Sequence, residues 1–437
     1  MADEGRHRIL NVQRQRGLIN SGICLCSEDI NVKTLKGKKR TIRLMSLGHP
    51  KILAAYFWSK AHSFLIAKSR QKNSSLIKPC LGCDYSQGEW VPNKLGPLYN
   101  GTTCDTIKQG QNCVVYGRPD TDYLHWKWNP KNCNLPIFDP KNFLKLLKNK
   151  HIAFVGDSLA RNQLESMLCM ISTVSKPNLY YRDGEDNKFR KWYIPSHNLN
   201  VSIYWSPFLV KGVEKTNENN FNTLYLDLVD EKWANDLKNM DFLVFSIGHW
   251  YLHPAVYRYE NSVLGCHFRE NCTEIGFFDV FGKALKTAFL SVIERKALDK
   301  NAISVFLTTF SPAHFEGEWD KFGACAKTQP YKESEMILDG AIEEMRRIGV
   351  AELKEAKIRA KGFGNNNFRF EGLDITKLAL LRPDGHPGPY MNPFPFANGI
   401  SERVQNDCVH WCLPGPIDTW NEILLDVIKR WDKGKIL

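Results

Sequence analysis

Ile152-Ala153-Phe154-Val155 is an uninterrupted apolar run closed by Gly156-Asp157-Ser158, and Leu159, Leu164, Met167 and Leu168 follow it at helical spacing. A short run without polar alternation suits a strand buried on both faces, and the later periodicity suits an amphipathic helix. Such a strand–corner–helix unit is a building block of a parallel sheet covered by helices. It sets Ser158 at a strand end beside a helix N-terminus, where unpaired backbone N–H groups can hold an anionic oxygen. A nucleophile is one reading of Ser158. A plain helix cap by Asp157 or Ser158 is the other.

The pattern recurs downstream. Phe242-Leu243-Val244-Phe245 is a second continuous apolar run, ending at Ser246-Ile247-Gly248-His249-Trp250. Residues 303–309 read as a further strand, and 201–205 and 224–228 as alternating ones. Helical spacing covers 275–295, 334–348 and 417–431. The expectation is an α/β fold, a parallel sheet flanked by helices, with its site at the carboxyl ends of the strands.

Near the other end of the chain stands Asp407-Cys408-Val409-His410. A serine hydroxyl is a poor nucleophile until an imidazole takes its proton, and that imidazole must be oriented by a carboxylate. Ser158, His410 and Asp407 supply those three residue types. A surface His and Asp in a disulfide-rich loop is the alternative.

At 437 residues and 43% hydrophobic, the chain can bury one large core with an appendage. Residues 1–78 carry sixteen Lys and Arg against four Asp and Glu, which accounts for the whole formal charge of +12. The remainder is balanced, so nucleic acid is not expected as a partner. Segment 1–78 reads as a basic, poorly ordered lead-in. Residues 79–135, rich in Cys and Trp, read as a loop-dominated module stapled by disulfides, and 136–437 as the catalytic domain. Trp90, Tyr123, Trp126 and Trp128 of the module suit a small core better than a sugar platform.

Eleven of the thirteen cysteines lie beyond residue 78, many in Gly-, Pro- and Asn-rich stretches. Such loop cysteines suit disulfides in an oxidising compartment, and Asn-x-Ser/Thr sequons at Asn73, Asn100, Asn200 and Asn271 agree. Zinc is the competing use, through Cys80-x-x-Cys83 and Cys408-x-His410-x-Cys412. A second Cys-x-x-Cys is missing and His410 is wanted elsewhere, so no metal is expected. The apolar stretch 52–58 falls short of the ~20 residues a bilayer span needs.

With their flanks, the two blocks resemble the plant trichome-birefringence-like family of polysaccharide O-acetyltransferases. Its members carry Gly-Asp-Ser followed by Arg-Asn-Gln, here Arg161-Asn162-Gln163, and an Asp-x-x-His block. Cys83-Asp84-Tyr85-Ser86-Gln87-Gly88-Glu89-Trp90, Gly117-Arg118-Pro119-Asp120, Gly248-His249-Trp250 and Ser311-Pro312-Ala313-His314 are also typical of it. Arg382-Pro383-Asp384-Gly385-His386 and Val404-Gln405-Asn406-Asp407-Cys408 look most like the branch acetylating xyloglucan side chains and mannans. The resemblance spans about residues 80–432.

It implies an SGNH/GDSL-hydrolase-like fold and double-displacement acyl transfer. Ser158, Asp407 and His410 would form the triad, with the N–H of Ser158 and of Gly248 as oxyanion donors. Arg161 and Asn162 would orient donor or acceptor, a plain helix-surface place being the other reading of Asn162, and His249 and His314 would either line the sugar cleft or be satisfied structural histidines. Many relatives place Asn where this chain has Ser246, so no Asn donor is carried onto that position. The acceptor would be a plant cell-wall polysaccharide, xyloglucan in the first place, with mannan or another wall polysaccharide as the alternative. The sequence holds no nucleotide-binding motif, which leaves the acetyl donor open between acetyl-CoA and a group delivered by a membrane partner. Relatives are held in the Golgi by an N-terminal signal anchor. Its absence here reads as a misassigned start or an isoform outside the secretory pathway, and the cysteines favour the first. An acetylesterase with the same triad and a non-catalytic polysaccharide-binding protein are the other classes.

Overall fold

The computed structural model describes residues 83–433, apart from 184–187, 298, 300, 364–367 and 400–402. The basic segment 1–78 and Cys80 lie outside the described residues.

The described chain opens with β1 (Gly88–Pro92) and β2 (Trp126–Pro130), paired antiparallel. Helix α1 (Pro140–Leu146) is capped by Asp139, whose side chain accepts the Asn142 N–H, and starts on a proline whose missing N–H costs nothing there. Then β3 (His151–Gly156) runs into α2 (Ser158–Ser172). The strands β4 (Asn178–Arg182), β5 (Phe189–Ile194), β6 (Leu199–Trp205), β7 (Val210–Val213) and β8 (Asn222–Val229) come next. After the one-turn α3 (Glu231–Ala234) follow β9 (Phe242–Ser246), β10 (Ala255–Tyr259), β11 (Ser262–His267) and α4 (Phe278–Ala297). The order closes with β12 (Ile303–Thr308), α5 (Gly340–Gly362), β13 (Phe368–Leu373), α6 (Thr376–Leu380) and α7 (Asp418–Lys433).

Seven strands form the main sheet in the order β13-β12-β9-β3-β6-β5-β4. The five from β13 to β6 are parallel, and β5 and β4 extend that edge antiparallel. From β3 the chain winds first toward β6 and then, on the other side, toward β9. The crevice between the carboxyl ends of β3 and β9 is therefore the point where strand order reverses, the usual ligand position of an open α/β sheet.

Alternation along the buried strands sorts side chains to two cores. Ile152, Phe154, Val244 and Phe306 face one core, shared with α2, α7 and the N-terminal segment through Tyr85, Trp90 and Trp128. Ala153, Val155, Leu243, Phe245 and Val305 face the other, shared with α4 and α5. This double burial explains the continuous apolar runs. The N-terminal aromatics Trp90, Tyr123 and Trp128 are core residues.

Three details differ from the sequence reading. Strand 224–228 falls in β8, which leaves the main sheet for a smaller one ordered β11-β10-β8-β7. That sheet rests on α4, where the Thr287 hydroxyl donates to Leu226 O at 2.6 Å. The helix expected over 334–348 begins only at Gly340, whose φ of +54° breaks the earlier turn, and it runs on to Gly362. Finally, β13, which the sequence reading did not single out, turns Phe368 and Phe370 toward the core shared with α4 and α5 and alternates them with Arg369 and Glu371.

Candidate active site

At the end of β3 the backbone passes so close to β9 that a Cβ on Gly156 would lie 1.8 Å from Ser246 O. Only glycine fits that approach. Asp157 then caps α2, accepting the Leu159 N–H on Oδ1 at 2.9 Å. Its Oδ2 accepts the Gly248 N–H at 3.1 Å, so one buried carboxyl ties the nucleophile corner to the end of β9. Burial pushes this carboxyl up to about 6, against the pull of the two N–H donors and the nearby His410 and Arg161. Capping thus falls to Asp157, which leaves Ser158, part-buried, as the first residue of the helix. Gly248 is not the free oxyanion donor expected of it, because its N–H is already given to Asp157.

The opposite wall is the Asp407–His410 segment. Asp407 Oδ1 accepts the N–H groups of Val409 (3.0 Å) and His410 (2.9 Å), and Oδ2 accepts His410 Nδ1 at 2.7 Å. Burial raises the Asp407 carboxyl, but the His410 ring and these donors outweigh it and hold the group well below the ordinary carboxylate range. Since Nδ1 donates to a carboxylate, the neutral ring carries its lone pair on Nε2. That atom is buried and makes no hydrogen bond among the described residues. No hydrogen bond joins it to Ser158 Oγ here; such contacts are often long before substrate binds.

Two disulfides fix the segment at both ends, Cys325–Cys408 and Cys113–Cys412. Of the cysteines weighed for zinc, Cys408 and Cys412 are therefore sulfur-bonded to other loops, and Cys83 is bonded to Cys133. Cys83–Cys133, Cys104–Cys169 and Cys266–Cys272 complete five pairs, so every described cysteine is paired.

The Arg161-Asn162-Gln163 run divides its work. Asn162 is fully buried and gives both amide atoms to the residue beside His410: Oδ1 accepts Trp411 N–H at 2.8 Å, and Nδ2 donates to Trp411 O at 3.2 Å. It is a clamp, not the donor- or acceptor-orienting residue expected. Gln163 Nε2 donates to Asn421 Oδ1 on α7 at 3.3 Å, and Gln163 Oε1 accepts the Thr308 hydroxyl at the end of β12 at 3.2 Å. Arg161 alone lines a cleft. His249 packs at a tilt against Phe310 and donates Nε2–H to Ser311 O at 2.8 Å, and burial pushes it down to about 4. It is a neutral ring spent on the backbone.

Two further imidazoles stand behind His410. His386 Nδ1 donates to His410 O at 2.7 Å, and His314 Nε2 donates to Leu380 O at 2.9 Å. Their facing nitrogens lie 2.7 Å apart, a hydrogen bond only when the pair holds one extra proton. Burial opposes charge on both rings. His386 also stacks on Trp411 at 4.2 Å. The sequence reading gave His386 and Trp411 no role; the quoted run containing His386 was the only available signal.

Beside this wall, Trp319 and Phe322 stand 55% and 57% exposed. Asn406, next to Asp407, donates its N–H to Trp319 O at 2.8 Å and Nδ2–H to Lys321 O at 2.7 Å. The two aromatics thus belong to the rim of the same edge.

A serine leading a helix at the switch point, with a carboxylate-oriented imidazole on a segment hydrogen-bonded to that same helix, supplies the residue types that serine acyl-esterases use. Residues 135–427 match the PC-esterase family, a GDSL/SGNH-like acyl-esterase family found in Pmr5 and Cas1p, and residues 81–134 match the PMR5 N-terminal domain. The chain belongs to the PC-esterase family. It is 64% identical over 353 residues to xyloglucan O-acetyltransferase 1 of Populus trichocarpa, covering 80% of this chain and 82% of that one. It is 55% identical over 352 residues to xyloglucan O-acetyltransferase 1 of Arabidopsis thaliana, covering 80% and 81%. Protein trichome birefringence-like 26 of Arabidopsis thaliana is 43% identical over 355 residues, covering 79% and 76%. The resemblance read from the motifs holds.

Proposed function

We propose that this protein is a polysaccharide O-acetyltransferase that acetylates xyloglucan. The observation that carries the chemistry is the Asp407–His410 bond, which leaves Nε2 as the basic nitrogen at the edge where Ser158 begins its helix. The substrate class is supported by the relatives' names.

In the proposed cycle Ser158 Oγ attacks the acetyl carbonyl while His410 Nε2 takes the hydroxyl proton. Collapse of the tetrahedral adduct breaks the bond to the carrier, which leaves with that proton. A sugar hydroxyl then attacks acetyl-Ser158, passing its proton to Nε2, and Ser158 Oγ recovers it as the ester departs. The Ser158 N–H, at the first position of α2, is the donor for the developing oxyanion. Trp319 and Phe322 offer flat apolar faces to sugar rings. Acetyl-CoA or a membrane-delivered acetyl group would serve as donor. The Golgi lumen is the proposed compartment, since five disulfides suit an oxidising one.

Purified protein with a labelled acetyl donor and xyloglucan or mannan oligosaccharides tests this. Label on xyloglucan, lost in Ser158→Ala, is the expected result. Free acetate without acetylated sugar would make the enzyme an esterase, and full biological activity of Ser158→Ala would make it a binding protein.

A further inference from the structure

Beside the first turns of α2 lies a cleft of about 610 Å³ whose charge balance is incomplete. Arg161, three residues after Ser158 and so on the same side of the helix, forms part of its wall. Arg190 of β5 forms another part. Their side chains are only 13% and 15% exposed, and the one carboxylate between them, Glu165, is fully buried. Arg190 Nη2 donates to Glu165 Oε1 at 2.9 Å. Arg161 Nε is 3.8 Å from the same oxygen, too far for a hydrogen bond.

Among the described residues the Nε atoms of Arg161 and Arg190 are buried without a hydrogen-bond partner, as is Glu165 Oε2. Two guanidinium groups share one carboxylate, with a hydrogen bond to it from Arg190 Nη2, which leaves surplus positive charge largely removed from water. Buried charge of this kind is costly unless something pairs with it. At the mouth, Lys108 and Lys176 stand with Asp105, to which Lys176 is paired at 3.0 Å. Arg161, Arg190 and Lys176 thus stand against Glu165 and Asp105. Burial, together with the Arg190 charge, also presses the Arg161 guanidinium toward losing its proton, although Glu165 counters this.

We propose that this cleft is an anion subsite for the acetyl donor, in which Arg161 and Arg190 grip a phosphate-type group on the carrier of the acetyl. The assignment rests on the acetyltransferase reading. An acetyl group is small and neutral, and a xyloglucan acceptor is built of neutral sugars, so neither needs paired arginines. The leaving half of an activated donor can carry the anion, and the volume is that of a pocket for a sizeable ligand. Guanidinium forks match phosphate oxygens two at a time. Held there, the carrier would present its acetyl one helical turn away, at Ser158.

Calorimetric titration of the full chain with inorganic pyrophosphate tests the site without relying on catalysis. The wild type binds; Arg161→Gln and Arg190→Gln each weaken binding about tenfold or more. Glu165→Gln, which removes the competing carboxylate, tightens it, a direction that misfolding cannot mimic. In transfer assays pyrophosphate competes with acetyl-CoA but not with the neutral ester 4-nitrophenyl acetate, and Arg161→Gln raises KM for acetyl-CoA more than it lowers kcat. No pyrophosphate binding by the wild type, or no opposite response of Glu165→Gln and Arg161→Gln, overturns the proposal. So does charge-dependent binding of an oligogalacturonide in place of pyrophosphate, which would assign the cleft to an acidic acceptor. If pyrophosphate binding follows the charges while no acetyl reaches any sugar, the anion subsite stands and the transferase reading falls.

Discussion

Asn162 and Trp411 exchange two hydrogen bonds, side chain to backbone, across 249 positions of sequence. The first sits one turn beyond Ser158 and the second directly follows His410, so this contact sets the spacing between nucleophile helix and base. Replacing Asn162 by Ala strands a buried N–H and a buried C=O, at about 1–3 kcal/mol each. The expected outcome is a lower melting temperature and a kcat reduced on the order of tenfold to a hundredfold, since small misplacements of reacting groups are costly. Asn162→Asp keeps the acceptor but loses the donor, and should fall between. A variant with lowered stability and full kcat would reduce the clamp to a structural contact.

Asp407 orients His410 by receiving Nδ1–H, which selects the tautomer with a basic Nε2. Asp407→Asn can present its amide N–H to the ring instead and so favour the wrong tautomer. Loss of kcat by about 10⁴-fold, with KM little changed, is expected by analogy with serine triads. Steady-state rates with a chromogenic acetyl ester check this. A loss below tenfold would mean that the carboxylate is not steering the base.

Much of this geometry was legible in the sequence, and the reasons are local. Ile152 to Val155 announced a buried strand because the sheet is covered on both sides, and Gly156 marked its end, though not its close approach to Ser246 O. What stayed hidden depends on distant partners. Nothing around Asn162 says that its amide is spent on Trp411, nor around Gly248 that its N–H belongs to Asp157. His386 shows no helical or strand period, and its bond to His410 O exists only once the chain brings these two distant residues together. Disulfide connectivity was equally unreadable, because Cys113 meets Cys412 through the tertiary fold alone.

The disulfides differ in what they hold. Cys325–Cys408 closes 83 residues and anchors the residue after Asp407, whereas Cys266–Cys272 closes only 6 beside the small sheet. Chain-entropy arguments give about 5 kcal/mol for the first loop and about 2 kcal/mol for the second. The Cys325→Ser/Cys408→Ser pair should lose both melting temperature and activity. The Cys266→Ser/Cys272→Ser pair should keep most of its activity with a smaller thermal shift. Equal activity losses in the two pairs would show that local anchoring of the Asp407 segment is unimportant.

Stability should fall as pH rises through the neutral range, because several carboxyls are buried in their protonated form. Burial, then repulsion from Asp418, pushes Glu422 on α7 up to about 8, and burial brings Asp418 and Asp157 to about 6. A carboxyl whose folded pKa exceeds its unfolded one binds its proton more tightly in the native state. Its contribution is complete below the unfolded pKa near 4.5 and disappears as pH climbs through about 8. For Glu422 the whole effect is no more than about 5 kcal/mol. Glu422→Gln substitutes a permanently neutral side chain of the same shape. Its melting temperature should match the wild type near pH 5 and exceed it at pH 8, with a flatter slope between. Thermal denaturation from pH 5 to 8 reads this directly, and parallel curves for the two proteins would mean that Glu422 is ionised in the native state throughout.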